Sequence, residues 1–486
     1  MKRPRAGGAS TGGPGTDRAD DLGTAAKRGV GHRSVDLKCE CPIGIANPSA
    51  RAADVALRFG VPLAASRVTI VGSARVEIGP GRIVLLVGPS GSGKSSALGR
   101  VARRFPACSS VGQAPFPPDR AVVDVVAPAG TLAEALSMMT ACGLGEPRLW
   151  LRSFDTLSDG ERFRASLARA VAAATRSRSS APLLCDEFCS LLHRRVAKAI
   201  SFNIRKIVSR RRLCLVLASS NEDVIADLQP DEVVWLRGGG ACEVQVCSVR
   251  LTKPFSLRRR LRIERGGKRD YDTFAAMHYR DTDELGFVDQ VFVMREGSGG
   301  ELLGIVVYSH GPLELALRNR ATDGWFSRNP GRVNRSLRIL RRLVVHPDVR
   351  GCGLGHHLVR KTLPLVGTEY VECLATMGAF NPVFQKAGMQ RVGQYDVSPK
   401  RQAALNALLD MGVDPSAGEF VAQVCRRRRV REIVARVVFD WYAATTASGE
   451  LRVARQSPEF LAQTFRGLIA SRPVYYLWRK SKRKAA

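Results

Sequence analysis

Gly88-Pro-Ser-Gly-Ser-Gly-Lys94-Ser95 is the stretch that decides the fold of the sequence around it. It follows an apolar run, residues 83–87, and leads into a helix-like stretch that begins at Ser96. Glycines at this spacing let backbone N–H groups converge on phosphate oxygens at a helix N-terminus. We expect Lys94 to neutralise phosphate charge and the Ser95 hydroxyl to ligate Mg²⁺. The residues predicted to surround the phosphates of a bound nucleotide are Gly88, Ser90, Gly91, Gly93, Lys94, Ser95 and Ser96.

Two adjacent carboxylates follow a second apolar strand, Leu183–Cys185. Asp186 is predicted to hold Mg²⁺ through water, and Glu187 to polarise the attacking water in hydrolysis. A carboxylate pair at a strand end is as often a plain surface feature. Its position after the phosphate-binding stretch favours the functional interpretation, in which Lys94 and Glu187 are catalytic.

A third element, Leu157-Ser158-Asp159-Gly160-Glu161, opens a further helix, where serine and glycine form an anion site. The three elements in this order, over about residues 60–240, resemble the ABC-type ATPases. The resemblance implies ATP and Mg²⁺ as ligands. It also implies a head-to-tail homodimer in which Ser158 and Gly160 of each protomer cap the ATP of the other.

Several positions of this pattern carry roles by resemblance alone. Gln113 stands where the family has its Q-loop residue, and with Ser95 and Asp186 it completes the implied Mg²⁺ ligands. Ser220 occupies the usual place of the switch histidine, and His193 the place of the D-loop aspartate. These departures imply slow hydrolysis, with ATP used to switch dimerisation.

A second glycine-rich turn lies in residues 339–360, which read ILRRLVVHPDVRGCGLGHHLVR. A strand-like run is followed by a turn and by Arg350-Gly-Cys-Gly-Leu-Gly355, which opens a helix. Backbone N–H groups exposed by these glycines suit a pyrophosphate. The spacing is GxGxG and no ribose-binding acid follows at about 20 residues, so the pattern does not indicate a dinucleotide-binding fold.

The R-x-x-G-x-G pattern after a strand, followed by Asn381-Pro-Val-Phe384-Gln-Lys-Ala-Gly388-Met389, resembles the GNAT acyltransferases. The resemblance implies acetyl-CoA as ligand, with its pyrophosphate on the glycine-rich turn and its pantetheine arm along the preceding strand. The positions that it assigns to acetyl-CoA are Leu343, Val345, Arg350, Gly351, Gly353, Gly355 and Asn381.

Transfer of an acyl group to an amine needs a base, and the sequence leaves its identity open. Glu372 and His310 are candidates, although each is more often structural; we name Glu372 as the predicted catalytic residue. Phe384 stands where the family has its acid tyrosine, and Tyr395 is a distant substitute. A site that binds without catalysing therefore stays an alternative.

Composition sets the broad class of protein. The 486 residues carry 75 Lys+Arg against 44 Asp+Glu, a net charge of +31, which favours phosphate polymers or anionic membrane as partners. No run reaches the roughly 18 apolar residues of a membrane helix, so we expect a cytoplasmic protein with no membrane-spanning partner. Its 12 scattered cysteines read as reduced thiols.

Together these patterns predict an α/β protein in which an ABC-type P-loop domain precedes a GNAT-like domain and a helical basic region. The predicted divisions are a disordered basic arm (1–37), an ATPase domain (38–240), an Arg-rich connector (241–268), a GNAT-like domain (269–399) and a helical C-terminal region (400–486).

The combination resembles ABC-ATPase–acetyltransferase fusions, and the second motif is loosely similar to phage Mom-like enzymes that modify DNA bases. The tail PVYYLWRKSKRK, where aromatic and cationic residues interleave, is typical of nucleic-acid binders and equally of a packed helix end. We therefore expect an ATP-coupled N-acyltransferase acting on nucleic acid. The alternatives are an ATP-regulated protein or small-molecule acetyltransferase and a non-catalytic ATP-switched DNA clamp.

Overall fold

The computed structural model describes residues 32–43, 47–63, 66–177, 180–250, 252–275, 277, 285, 287–445, 456–470 and 472–481. It confirms a mixed α/β fold. Of the disordered arm predicted for residues 1–37, residues 1–31 lie outside the described residues. We refer to residues 32–246 as the first half and to residues 256–481 as the second half.

The first half alternates strands and helices, as its sequence predicts. Its elements are β1 (Arg33–Asp36), β2 (Cys39–Ile43), α1 (Ala50–Phe59), β3 (Ser66–Val71), β4 (Arg75–Ile78), β5 (Ile83–Val87), α2 (Lys94–Arg104), β6 (Ser109–Ser110), α3 (Val122–Val126), α4 (Leu132–Ala141), α5 (Pro147–Trp150), α6 (Asp159–Ser177), β7 (Leu183–Cys185), α7 (Arg194–Arg211), β8 (Leu215–Ser219), α8 (Ile225–Leu228), β9 (Glu232–Gly238) and β10 (Ala241–Val246).

A six-stranded sheet in the order β10-β9-β5-β8-β7-β6 forms the centre of this half. Its strands from β9 to β6 are parallel, and β10 is an antiparallel edge. Every side chain of β5 and β8 is buried, because helices cover both faces of a parallel sheet. The carboxyl ends of the parallel strands therefore meet at one edge.

Two antiparallel ribbons, β1 with β4 and β2 with β3, pack their apolar residues on the same core as α2. The prediction that the arm extends to residue 37 is wrong for Arg33–Asp36, which pair in register with Arg75–Ile78. The strand forms because Val35 alternates with polar neighbours and buries its side chain, while Leu37 is fully buried just beyond it.

The second half is built on a seven-stranded sheet. Its elements are β11 (Leu261–Gly266), α9 (Asp272–Ala275), β12 (Val288–Glu296), β13 (Leu302–Ser309), α10 (Ala316–Ala321), α11 (Pro330–Ser336), β14 (Leu337–Val345), α12 (Leu354–Thr362), β15 (Tyr370–Ala375), α13 (Val383–Ala387), β16 (Gln390–Gln394), α14 (Pro399–Asp410), α15 (Phe420–Arg426), α16 (Arg428–Thr445), α17 (Pro458–Ala470) and β17 (Val474–Arg479). The strand order is β11-β12-β13-β14-β15-β17-β16.

The strands β14 and β15 are parallel but diverge. They pair only where Leu337–Ile339 face Tyr370–Glu372. Beyond Ile339, β14 continues to Val345 paired with β13, while β15 continues paired with β17. The divergence opens a wedge in the middle of the sheet, and the β14 edge that faces it has no strand partner within the described part of the chain.

The structure differs from the sequence prediction at the Arg-rich connector between the two predicted domains. Residues 241–268 were expected to link two domains, yet β10 completes the first sheet and β11 the second. Both strands alternate exposed with partly buried residues, as edge strands do. The linking residues are consequently confined to the stretch between Val246 and Leu261.

The C-terminal region is only partly helical. The helices α14 to α17 share one apolar core, which includes Val434 and Phe465. The chain then returns to the sheet as β17, which lies between β15 and β16 and buries Tyr475 and Tyr476 completely. The interpretation of the aromatic tail as an exposed stacking surface is therefore wrong for these two tyrosines, which pack in the sheet.

Three findings concern membrane spans, cysteines and metal clusters among the described residues. No helix among them is long and apolar enough to cross a membrane. Every cysteine of the chain is a free thiol, and the described residues contain no cluster of three His, Cys, Asp or Glu side chains suited to a metal ion.

We predict that Tyr476→Ala destabilises the second half by roughly 3–5 kcal/mol, the usual cost of removing a buried aromatic ring. The ring packs at 5.4 Å from that of Phe384, and its hydroxyl donates to the Gly378 carbonyl at 3.1 Å. Urea unfolding followed by tryptophan fluorescence measures the change. Arg479→Ala on the same strand removes the partly exposed ion pair with Glu369 and the contact of the guanidinium with the Tyr370 ring, but no buried aromatic ring, and serves as the control. Equal stability of the two variants would contradict the buried position of β17.

Candidate functional site

The phosphate loop, residues 88–95, joins β5 to α2 with a backbone that only glycine adopts easily. Gly91 and Gly93 have φ of +80° and +95°. At Gly88 a Cβ would lie 2.3 Å from the Leu236 carbonyl oxygen and 2.7 Å from Ser92 Oγ. The glycines of the motif are thus required by conformation and by close approach.

The loop presents donors that lack partners. Among the residues that the structure describes, the backbone N–H groups of Gly93 to Ser96 find no acceptor. The Ser92 hydroxyl is buried and also has no partner. Lys94 is 5% exposed and donates to the carbonyls of Gly88 and Pro89, at 2.9 and 2.8 Å. A buried cation beside unpaired donors fits a phosphate group.

Four other predicted residues follow strands at the same sheet edge. Asp186 and Glu187 come directly after β7, and Ser220 directly after β8. Gln113 lies three residues beyond β6, and its side-chain oxygen accepts the Ser110 N–H at 3.0 Å. Since these strands run parallel to β5, their carboxyl ends lie on the side of the phosphate loop.

The Asp186–Glu187 turn is a strained one. Glu187 has φ of +51°, a conformation that side-chain-bearing residues rarely adopt. Its N–H donates to Asp186 Oδ1 at 3.0 Å, and both carboxylates are exposed. The turn is attached to the sheet, because the Phe188 N–H donates to the Ala218 carbonyl of β8.

Ser158 and Gly160 lie where α6 begins. The Ser158 N–H donates to the Glu161 carboxylate at 2.9 Å, which orders the first helical turn. Arg164 ties this turn to the end of α4, because its guanidinium donates to the carbonyls of both Gly160 and Gly143. The Ser158 side chain is exposed.

The glycine loop of the second half, residues 350–355, has the same physical character as the phosphate loop. Gly351 and Gly353 both have φ of +83°. Within the described residues, the N–H groups of Gly351 to Gly355 have no acceptor, and they precede or open α12. Alternating backbone of this kind forms a concave set of N–H donors for an anion.

A cavity of about 410 Å³, which we call the wedge cavity, lies between this loop and the diverging strands. From the second half it is lined by residues of β14, the glycine loop, β15 and α13, among them Leu343, Val345, Arg350, Gly351, Gly353, Gly355 and Asn381. Every position that the sequence assigned to the acyl donor therefore lines one cavity.

Glu372 does not line this cavity. It is fully buried, with one carboxylate oxygen 3.3 Å from an Arg318 nitrogen and the other accepting the Tyr475 hydroxyl at 2.8 Å. Burial raises the pKa of Glu372 to about 7, against the opposing effects of Arg318 and Tyr475. This position gives the carboxylate no route to the cavity and argues against its predicted role as catalytic base.

The other acid–base candidates are also engaged elsewhere. His310 lies 4.0 Å from Asp289 and does not line the wedge cavity. The Tyr395 hydroxyl accepts the Leu317 N–H at 3.0 Å. Phe384 does line the cavity, but it brings no hydroxyl to it.

One wall of the wedge cavity was missed by the sequence analysis. Thr140, Gly145, Pro147 and Trp150 of the first half line it too. These residues stand some two hundred positions before the glycine loop and belong to no motif. Only the packing of α4, α5 and α7 against the second half reveals them.

Comparisons with known proteins give structural neighbours for part of the chain. No family model and no curated protein matches the chain. The chain is similar to the dimeric MJ0796 bacterial ABC transporter cassette, at 16% identity over 44% of this chain and 98% of that one, with a TM-score of 0.33. It is similar to that cassette in a post-hydrolysis state bound to ADP and Pi, with the same identity and coverage and a TM-score of 0.32.

A bacterial Atm1-family ABC exporter with ATP bound is a further neighbour, at 21% identity over 37% of this chain and 36% of that one, with a TM-score of 0.30. Structural neighbours of the chain are thus ABC ATPase cassettes. Identities this low leave the function to be inferred from the residues of the chain itself.

We predict that the free energy of unfolding falls as the pH rises from 5 to 7.5, partly because of Glu372. Its folded pKa of about 7 exceeds that of an exposed glutamate, so the folded chain binds more protons in this window. In the Glu372→Gln variant, which mimics the protonated acid, the free energy of unfolding should decrease by roughly 2 kcal/mol less than in wild type between pH 5 and 7.5.

Urea unfolding at several pH values between 5 and 7.5 measures the slope. Glu369→Gln, a substitution at a half-buried residue just before β15, is the matched control and should keep the wild-type slope. A slope of the Glu372→Gln protein identical to that of wild type would show that Glu372 is ionised throughout this range.

Proposed function

We propose that the first half binds and hydrolyses ATP with Mg²⁺. The observation that carries this proposal is the phosphate loop, where unpaired backbone donors and the buried Lys94 ammonium converge with no acidic partner among their hydrogen bonds. A polyphosphate supplies the acceptors that Ser92 and the N–H groups of Gly93 to Ser96 lack.

Residues at the same sheet edge complete the proposed site. When bound, Mg²⁺ neutralises phosphate charge, and the Ser95 hydroxyl, Asp186 and Gln113 are the residues that would hold it. Glu187, exposed on its strained turn, would orient and deprotonate the attacking water. Ser220 can only hydrogen-bond at the position after β8, so it would position water rather than carry charge.

The proposed active form is a homodimer. At the start of α6, Ser158 is exposed and Gly160 is partly buried. In a head-to-tail pair, this helix N-terminus would close the ATP site of the other protomer, which is the arrangement that ABC-type sequences imply.

We predict that Lys94→Ala weakens ATP binding by roughly 100-fold, since the variant loses the buried cation that faces the phosphates. Titration calorimetry with Mg-ATP measures the affinity. Arg104→Ala, an exposed cation at the far end of the same helix, should bind ATP like wild type. Unchanged binding by the Lys94→Ala protein would contradict the assignment of the loop.

We infer that the wedge cavity binds acetyl-CoA or a related acyl-CoA. Its two parts match the two parts of such a ligand. The glycine loop offers N–H groups to a pyrophosphate, and the edge of β14 from Leu343 to Val345, which β15 does not cover, offers backbone groups to the amides of a pantetheine arm. When bound, acetyl-CoA supplies an activated thioester carbonyl.

We further propose that the acyl acceptor is an amine on nucleic acid. Net charge supports this, and so does a surface at the junction of α15 and α16, where Arg426, Arg427, Arg428 and Arg429 are all exposed. Four adjacent guanidinium groups suit a phosphate backbone. Since Glu372 is buried away from the cavity, deprotonation of the amine falls to a group other than this carboxylate.

We predict that Gly353→Glu reduces acetyl-CoA affinity at least about tenfold. A side chain there would meet the His356 ring at 2.7 Å, and its carboxylate would repel a pyrophosphate. Calorimetry with acetyl-CoA measures the loss. Gly367→Glu is the matched control, because Gly367 has φ of +86° and open space around it, so it brings the same charge and backbone strain without blocking the loop.

Absence of acetyl-CoA binding by the wild-type protein would contradict the acyl-CoA assignment. An equal loss in the Gly353→Glu and Gly367→Glu proteins would attribute the effect to strain, and would contradict the assignment of the loop.

A further inference from the structure

The wedge cavity belongs to both halves of the chain. Its first-half wall comes from the end of α4 and from the segment that leads into α5, with Thr140, Gly145 and Trp150 at the cavity. Met377, which lies beyond β15 in the second half and lines the same cavity, packs against the apolar core of the first half. A ligand that fills the cavity must therefore touch both halves.

Arg350 fastens the glycine loop to this wall. Its guanidinium is mostly buried and donates to the Val345 carbonyl at 2.9 Å, to the Gly145 carbonyl at 2.7 Å and to the Met277 carbonyl at 2.9 Å. The bond to Gly145 joins the two halves. Because a buried guanidinium without acceptors is costly, these three carbonyls hold the loop in one place.

Gly351 shows how close the contact is. A Cβ at this residue would lie 2.8 Å from the Asn203 amide nitrogen and 3.1 Å from the Thr140 carbonyl oxygen. Asn203 is buried on α7, and its amide donates to the Ala141 carbonyl at 3.1 Å. The beginning of the glycine loop, at Arg350 and Gly351, is thus seated against the first half.

Trp150 is held rigidly at the cavity. Its indole N–H donates to the Leu144 carbonyl at 2.7 Å, one residue before the carbonyl that Arg350 binds. The indole is packed against the first-half core but is only partly buried. An aromatic face fixed beside an anion-binding loop suits a planar base attached to the phosphates.

We propose that both halves bind the acyl-CoA in the wedge cavity, with Trp150 contacting the purine-bearing end and Arg350 acting as a positioning residue for the glycine loop. This inference rests on the proposed acyl-CoA function of the cavity. It assigns part of the ligand specificity of the second half to a residue of the ATPase half.

The same contacts connect the cavity to the proposed ATP site. Arg164 links the α6 turn at Gly160 to Gly143, two residues before the carbonyl that Arg350 binds. On the other side, Arg195 at the start of α7 lies 3.7 Å from Asp348, two residues before Arg350. Movement of α6 or α7 on nucleotide binding would therefore shift the wall of the wedge cavity.

The test is calorimetric titration of the full chain with two probes, acetyl-CoA and adenosine 3′,5′-bisphosphate, which is the purine end alone. The titrations use the Lys94→Ala background, so that the first nucleotide site does not take up the bisphosphate. Trp150→Ala should weaken both probes by a similar factor of roughly tenfold, and Trp150→Phe should restore most of the affinity because it keeps an aromatic face.

Trp235→Ala is the matched control. Trp235 is the other partly buried tryptophan of the first half whose indole N–H is bonded, in this case to Gln245, and it does not line the cavity. Its removal should leave both affinities unchanged. A similar loss in the Trp150→Ala and Trp235→Ala proteins would overturn the inference, since it would reflect general destabilisation.

The remaining outcomes separate this inference from the function on which it rests. If acetyl-CoA binds the parent protein and Trp150→Ala binds it equally well, joint binding is overturned and the acyl-CoA function stands. If Trp150→Ala weakens acetyl-CoA but not the bisphosphate, the contact with the purine is overturned. If the parent protein binds neither probe, the acyl-CoA function itself fails.

Discussion

The buried guanidinium of Arg350 is the interaction on which the arrangement of the two halves depends. The charge has no carboxylate among these hydrogen-bond partners, because its hydrogen bonds are made to carbonyl oxygens of three separate segments. Each carbonyl alone is a weak partner, and together they replace the water that burial removes. The result is that β14, the glycine loop and the end of the first-half helical region cannot move independently.

Both candidate sites present backbone N–H donors to an anion with the same arrangement of elements. Each has a strand, a short loop with two glycines of positive φ and a helix, and each leaves consecutive N–H groups without acceptors among the described residues. The difference is the source of positive charge. Lys94 lies inside its loop at the first site, whereas at the second the Arg350 guanidinium donates to three carbonyl groups of the protein. We therefore expect the first site to favour a more highly charged polyphosphate.

The sequence predicted these loops well because the signal is local. Positive φ demands glycine, and a helix N-terminus follows directly, so Gly93 and Gly353 are visible without knowledge of the tertiary structure. Parallel strands with buried β-branched residues were equally visible at β5 and β8.

What the sequence could not show depends on contacts between distant segments. Glu372 was a candidate catalytic carboxylate because its partners, Arg318 and Tyr475, are distant from it in sequence. In the structure Arg318 forms an ion pair with Glu372, and the Tyr475 hydroxyl donates to it. Trp150 and Gly145 carry no motif at all. The tail, where lysines follow aromatic residues, was compatible equally with a nucleic-acid binder and with a packed helix end, and only the gap between β15 and β16 explains why a strand is buried there.

The place of β17 also has a consequence for how the chain matures on the ribosome. Its neighbours β15 and β16 are synthesised well before it, and the whole helical segment from α14 to α17 intervenes. Until that segment has emerged, β15 lacks β17 as its antiparallel partner. The edge of β15 that β17 later covers is then open to pairing with other chains. Early formation of the helical segment, which has its own apolar core, would shorten this exposure by bringing β17 to the gap as soon as it is made.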